Sequence, residues 1–189
     1  MTAEATSIST SAIALDFRSS DTAPRGPISF AIDRCIEGQV LVARSSVGLC
    51  AIFLDDDVDA LVRQLREAFP GRVIERAQQD LQGDLDDVVA FVDGSASQAA
   101  LRLDVGGSPF QRRVWAALCD IPAGETRTYT EIAGSIGAPD AVRAVAGACA
   151  ANRLAVVVPC HRVVRSDGEI SGYRWGVERK RALLARESA

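Results

Sequence analysis

Two side chains capable of nucleophilic chemistry stand side by side at Cys160 and His161, and His161 is the only histidine in the chain. They lie in LAVVVPCHRVV, where an apolar run and Pro159 lead into the pair. A thiol attacks as its thiolate, and an imidazole acting as base or hydrogen-bond partner is expected to draw its pKa down toward neutrality. Adjacency poses a geometric difficulty, because successive side chains of a regular strand face opposite ways. Pairing therefore needs a bend, for which Pro159 is well placed, or a bridging water. The histidine then needs a third group, expected to be a carboxylate, to fix its tautomer.

Other readings of these residues are weaker. Cys35, Cys50, Cys119 and Cys149 read as small buried hydrophobes, the commonest role of a free cysteine. A zinc site from Cys119, Cys149, Cys160 and His161 matches no standard ligand spacing. Cysteine proteases draw their thiol and imidazole from distant segments, so adjacency points elsewhere. Five cysteines are an odd number without CxxC spacing, and residues 1–27 lack the basic cluster and apolar stretch of a secretory signal. Reduced thiols in a cytoplasmic protein are expected.

The elements that must position the pair are supplied by 189 residues, 48% hydrophobic and 24% charged, enough for one generous domain or two small ones. No apolar run approaches the roughly 18 residues of a membrane span. Charge is split: residues 1–100 carry 8 basic and 16 acidic side chains, net −8, and residues 101–189 carry 13 and 9, net +4. A polyanion could meet the basic half alone, although a solvated arginine-rich face is the commoner cause of such a bias.

Residues 1–27 read as a flexible leader. Ile28, Phe30 and Ile32, then Val40 and Val42, then residues 49–54 predict a three-stranded antiparallel meander. Asp55, Asp56 and Asp57 precede a helical spacing of Val58, Leu61, Val62, Leu65 and Phe69, where helix capping explains the acids better than a metal does. A short strand at 73–75 and a helix around 85–92 complete an N-terminal unit over 28–93, and 94–104 reads as a linker. Beyond it, Ser108-Pro109 predicts a capped helix whose apolar face holds Phe110, Val114 and Leu118. Helices over 129–136 and 140–151, joined by Gly137-Ala138-Pro139, form a helix-turn-helix pattern. In the second of these, Arg143 is the only long charged side chain among small ones. Tight packing against neighbours and close approach to a nucleic-acid groove explain it equally well.

VPCHRVV, followed by SGYRWGVERKRALL, closely resembles the O6-alkylguanine-DNA alkyltransferases, also called methylated-DNA-protein-cysteine methyltransferases. The resemblance extends upstream through FQRRVWAAL, IPAGETRTYTEIA and AVRAVAGACAAN; residues 28–100 are similar to the family's N-terminal domain as it occurs in bacterial adaptive-response proteins. It implies an α+β fold: a three-stranded, ribonuclease H-like N-terminal unit, then a mainly helical, winged-helix-like domain over 105–189. It also implies that Cys160 irreversibly takes the alkyl group of an O6-alkylguanine, or of an O4-alkylthymine, flipped from duplex DNA. His161 would act on the thiol through a water, Glu187 would hold His161, and Asn152 would brace the turn. Tyr129 would hydrogen-bond the base and help rotate its phosphate, Arg143 would fill the vacated stack, and Val163, Tyr173 and Lys180 would line the pocket. Arg174 and Trp175 replace the smaller residues of some relatives, which bears on the tolerance of bulky adducts.

The expected partner is double-stranded DNA with alkylated bases, bound by a monomer through the minor groove, with no cofactor, metal or membrane. The length leaves no room for the zinc-cysteine module and transcription-factor domain of the adaptive-response proteins, so repair without regulation is expected. The alternative is a module that binds alkylated DNA without chemistry, a class that lacks the cysteine.

Overall fold

The computed structural model describes residues 14–17 (backbone only), 24, 26–96 and 101–188. Its N-terminal unit is built on a mixed six-stranded sheet. The expected meander is present as β2 (Ile28–Cys35), β3 (Gly38–Arg44) and β4 (Leu49–Asp55), paired antiparallel in sequence order. Three further strands pair parallel to what they meet: β5 (Ile74–Arg76) on β2, β6 (Arg102–Val105) on β4, and β1 (Ala14–Phe17) on β6. The spatial order is β1-β6-β4-β3-β2-β5. The expected three-stranded antiparallel meander thus forms the middle of the sheet, β5 is the strand expected at 73–75, and β6 and β1 extend the sheet beyond β4. Strand β1 falls inside the segment read as leader, and β6 begins in the segment read as linker and ends at the first residue of the expected C-terminal domain; the rest of 1–23 and residues 97–100 lie outside the described residues.

Helix α1 (Val58–Ala68) starts where Asp57 accepts from Asp59 N, and it buries Leu61, Leu65 and Ala68. Helix α2 (Gln82–Val92) buries Leu85, Val88 and Val92, beginning three residues before the expected span. Strand β4 is buried from Leu49 to Leu54. Its free edge beyond Leu49 is taken by the segment after Asn152: Ile52 N donates to the Arg153 carbonyl at 2.8 Å, and Ala155 N to the Ile52 carbonyl at 3.0 Å. The sheet therefore carries the loop that leads to Cys160.

The helical unit follows. Ser108 and Gln111 close a capping box with Pro109 at the first position of α3 (Pro109–Cys119), whose Val114, Trp115 and Leu118 are buried. Strand β7 (Arg127–Thr128) leads directly into α4 (Tyr129–Ser135), again through a capping box, Thr128 with Glu131. A turn over 136–141 joins α4 to α5 (Val142–Ala150), giving the expected helix-turn-helix. Trp115 Nε1 donates to the Ala148 carbonyl at 2.9 Å and ties α5 to α3. Strand β8 (Val163–Val164) pairs parallel to β7, and α6 (Val177–Glu187) closes the described chain. Among the described residues no helix is long and apolar enough to cross a membrane.

Candidate active site

Cys160 and His161 lie not on a strand but on a single 3₁₀ turn, Cys160–Arg162, entered from Pro159 and held by Arg162 N donating to the Pro159 carbonyl at 3.0 Å. Asn152 braces the approach to this turn. Its Nδ2 donates to the Val158 carbonyl (2.8 Å), the Leu154 carbonyl (3.3 Å) and Cys160 Sγ (3.2 Å), while its Oδ1 accepts from Leu154 N (2.8 Å). Within this loop Val156 has φ 65°, an uncommon conformation for a β-branched residue, so the segment is held against local preference.

His161 is fully buried, and its Nε2 lies 2.9 Å from Glu187 Oε1 at the end of α6. With a carboxylate accepting from Nε2–H, the lone pair sits on Nδ1, which is buried without a protein partner. Burial lowers the imidazole pKa, although the Glu187 bond works the other way. Burial would raise the Glu187 pKa, yet hydrogen bonds and charges from His161 and Arg162 bring it down to about 2. Arg162 makes this possible: its Nε donates to Glu187 Oε2 at 2.9 Å, its Nη2 to Oε1 at 2.8 Å, and its Nη1 to the Ile121 carbonyl at 2.5 Å. At neutral pH the ensemble is a neutral imidazole on an ionised carboxylate.

The thiol departs from expectation. Burial pushes Cys160 up to about 11, against the opposing effects of the Asn152 bond and of Lys180, so the resting group is S–H rather than thiolate. An imidazole in the next position does not depress a thiol that is this desolvated. The proton must leave as the thiol reacts, which calls for a base.

Cys160 opens onto a small pocket lined by Tyr129, Ala146, Cys149, Ala150, Gly172, Tyr173 and Arg174. The β7–β8 pairing sets the start of α4, and so Tyr129, beside the strand that follows the 3₁₀ turn. The Tyr129 hydroxyl lies 2.6 Å from Ser171 Oγ, which also accepts from Lys180 Nζ at 3.3 Å. Lys180 is fully buried and donates to the Val163 carbonyl at 2.5 Å; burial lowers its pKa. Tyr173 stands edge-on to Trp175 and His161. Arg174 donates to the Ala150 carbonyl at 3.3 Å and lies over the Phe53 ring, at the pocket wall.

The structure thus brings together Cys160, His161, Glu187, Asn152, Tyr129, Val163, Tyr173 and Lys180. Arg143 is set apart, exposed on α5 on a face with Ala144, Gly147 and Ala150, opposite the buried Val145, Ala148 and Cys149. Cys119, Cys149, Cys160 and His161 do not assemble as ligands: among the described residues no group of three or more His, Cys, Asp or Glu converges. Cys50 and Cys149 are buried as expected, whereas Cys35 and Cys119 are only half-buried and Cys149 lines the thiol pocket. Arg162 and Ser171 were not singled out from sequence. Arg162 was signalled only by its place in the CHR turn, and Ser171 by nothing.

Residues 109–189 match the family described as 6-O-methylguanine DNA methyltransferase, DNA binding domain. The chain is 48% identical to the bifunctional transcriptional activator/DNA repair enzyme Ada of Escherichia coli over 161 residues, 85% of this chain and 46% of that protein. It thus spans about half the length of that relative. It is 37% identical to the inducible methylated-DNA–protein-cysteine methyltransferase of Bacillus subtilis over 127 residues, 67% of this chain and 71% of the other. The crystal structure of Mycobacterium tuberculosis OGT in complex with DNA superposes with a TM-score of 0.70 at 34% identity, covering 85% of this chain and 92% of that one.

Proposed function

This chain belongs to the 6-O-methylguanine-DNA methyltransferase family, and from that premise we propose that it is a single-turnover DNA repair protein whose Cys160 irreversibly accepts the alkyl group of an O6-alkylguanine, or of an O4-alkylthymine, flipped from duplex DNA. The observation that carries the reading is the arrangement around Cys160: a protonated thiol facing a pocket, with a neutral imidazole whose Nδ1 is free to accept and whose Nε2 is held by Glu187. The S–C bond forms as the O6–C bond breaks. The thiol proton passes through a water to His161 Nδ1; the leaving base, with Tyr129 hydrogen-bonded to it, takes up one proton from solvent water, and His161 later returns its own to solvent, so that the net change moves one proton from the sulfur to the base. Lys180 adds positive charge near the sulfur as it becomes anionic. A thioether has no route back, so each chain acts once.

A base inside a duplex is out of reach of a buried thiol, so the nucleotide must be extruded. The small-residue face of α5 suits close approach to the minor groove, with Arg143 taking the vacated place in the stack. The protein acts as a monomer, and five free thiols suit the cytoplasm. Mass spectrometry after incubation with O6-methylguanine duplex tests the whole reading. One methyl per chain on the Cys160 peptide is expected, and Cys160→Ala retains DNA binding without transfer. A methyl on another cysteine, or turnover above one per chain, rejects the mechanism; binding with no transfer by the wild type favours the module without chemistry.

A further inference from the structure

Helix α6 meets two different parts of the molecule with residues one position apart. Lys180 and Glu187 are seven residues apart, close to two full turns, and both serve the thiol site: Lys180 on the Val163 carbonyl, Glu187 on His161 and Arg162. Arg179 and Arg186 repeat the same spacing about 100° around the helix, and both reach the N-terminal unit. Arg179 Nε donates to the Glu37 carbonyl at 2.8 Å, and its Nη2 pairs with Asp56 Oδ1 at 2.7 Å. Arg186 pairs through Nη2 with the Glu37 carboxylate and donates through Nη1 to the Val92 carbonyl at the end of α2.

Glu37 stands in the turn between β2 and β3 with its side chain only 5% exposed, a costly place for a carboxylate unless it is paired. The turn is shaped for the contact. Ile36 N donates to Asp93 Oδ1 at 2.8 Å. Gly38, at φ 109°, leaves room for Asp56 and Arg179 to meet, since a Cβ there would lie 2.5 Å from Asp56 Oδ1 and 3.3 Å from Arg179 Nη2.

We propose that Glu37, more than 100 residues from the thiol in sequence, is a positioning residue for the reaction. By holding Arg179 and Arg186 it fixes the rotation and height of α6, and through them the Glu187 carboxylate that sets the His161 tautomer. Glu187 Oε1 serves His161 and Arg162 at once, at 2.9 and 2.8 Å, so a small turn of the helix loses one bond or the other. The proposal rests on the reading of His161 and Glu187 as the relay of alkyl transfer.

Because His161 is the only histidine, ¹⁵N-histidine labelling of the tag-free chain gives one pair of ring signals that report its tautomer directly. In the wild type Nε2 should appear protonated and Nδ1 unprotonated. In Glu37→Gln both signals should move toward the tautomer average, and transfer at saturating O6-methylguanine duplex should slow about 10- to 100-fold, the scale of a small misplacement at a reacting centre. Arg186→Lys, which keeps the charge but loses the two-pronged grip, should give a smaller shift of the same kind, and it carries the test if Glu37→Gln does not fold. A merely structural clamp lowers the melting temperature and leaves the imidazole signals in place. Signals that stay put in a folded variant, whatever the rate, overturn the proposal. Signals that move while the rate holds keep the clamp and remove the relay from the proposed reaction.

Discussion

Asn152 Nδ2 stands 3.2 Å from Cys160 Sγ and, from the same nitrogen, 2.8 Å from the Val158 carbonyl. One amide thus joins the reacting sulfur to the backbone that leads into its turn. The loop between them includes Val156 at positive φ and is pinned at its start to β4, so the sulfur's position is set by the sheet as well as by the turn.

Removing that amide should cost both stability and chemistry. Asn152→Ala orphans Leu154 N in a buried site, at about 1–3 kcal/mol for the unsatisfied group, and leaves the Val158 carbonyl with only its bond from Cys160 N. Transfer should fall with it, because the thiol loses a bond that lowers its pKa. Denaturant unfolding and a transfer assay on the same sample check this. A variant as stable as the wild type would show that the loop holds itself.

A protonated resting thiol leaves a signature in the pH dependence of transfer. With Cys160 pushed up to about 11 and the imidazole pKa below its ordinary 6.5, the rate on a free alkylated base should drop only on the acid side of 6.5. It should run flat between about pH 7 and pH 9, where a thiolate-forming step of ordinary pKa would show an inflection. An inflection in that interval would mean that His161 lowers the thiol pKa after all.

His161 and Glu187 set an acid limit on stability. The folded pKa of His161 lies below its unfolded value, so protons bind the unfolded chain more readily from about 6.5 downward, and stability falls with pH there. Glu187, at about 2 against an ordinary 4.5, contributes stability that is full above 4.5 and lost as pH falls toward 2. Glu187→Gln should be less stable at neutral pH and lose less between 4.5 and 2. Chemical denaturation at a series of pH values reads both, and parallel curves for wild type and variant would refute the assignment.

Helix starts were legible where a cap and a period agreed, as at the acids before Val58 and at Ser108-Pro109, because both signals are local. Two of the parallel strands were not: β1 and β6 are four residues each, and a short parallel strand is defined by a partner far away in sequence. That Asn152 would lie against Cys160 and Glu187 against His161 was legible through the family resemblance, but the sense of the thiol shift was not. That depends on burial, which adjacency to His161 does not reveal. Arg162 was hidden for a related reason, since only the 3₁₀ turn shows that its guanidinium reaches Glu187 while its neighbour reaches the same oxygen.

Arg143 offers the sharpest test of how DNA is used. It is exposed on a face of α5 where Gly147 leaves open space, so the helix can approach a groove floor closely. If the guanidinium fills the gap left by the flipped base, Arg143→Ala loses support for a state that costs a few kcal/mol to reach from an intact stack. At saturating duplex, transfer should then slow by about 10- to 100-fold, since each 1.4 kcal/mol is a factor of ten. Transfer from a free O6-alkylguanine base needs no extrusion and should be unchanged. A phosphate contact would act otherwise, weakening duplex affinity and reducing its salt dependence by about one ion. The ratio of the two transfer rates, measured where DNA is saturating, separates the cases: a ratio equal to that of the wild type removes Arg143 from the stack and leaves it as an electrostatic contact.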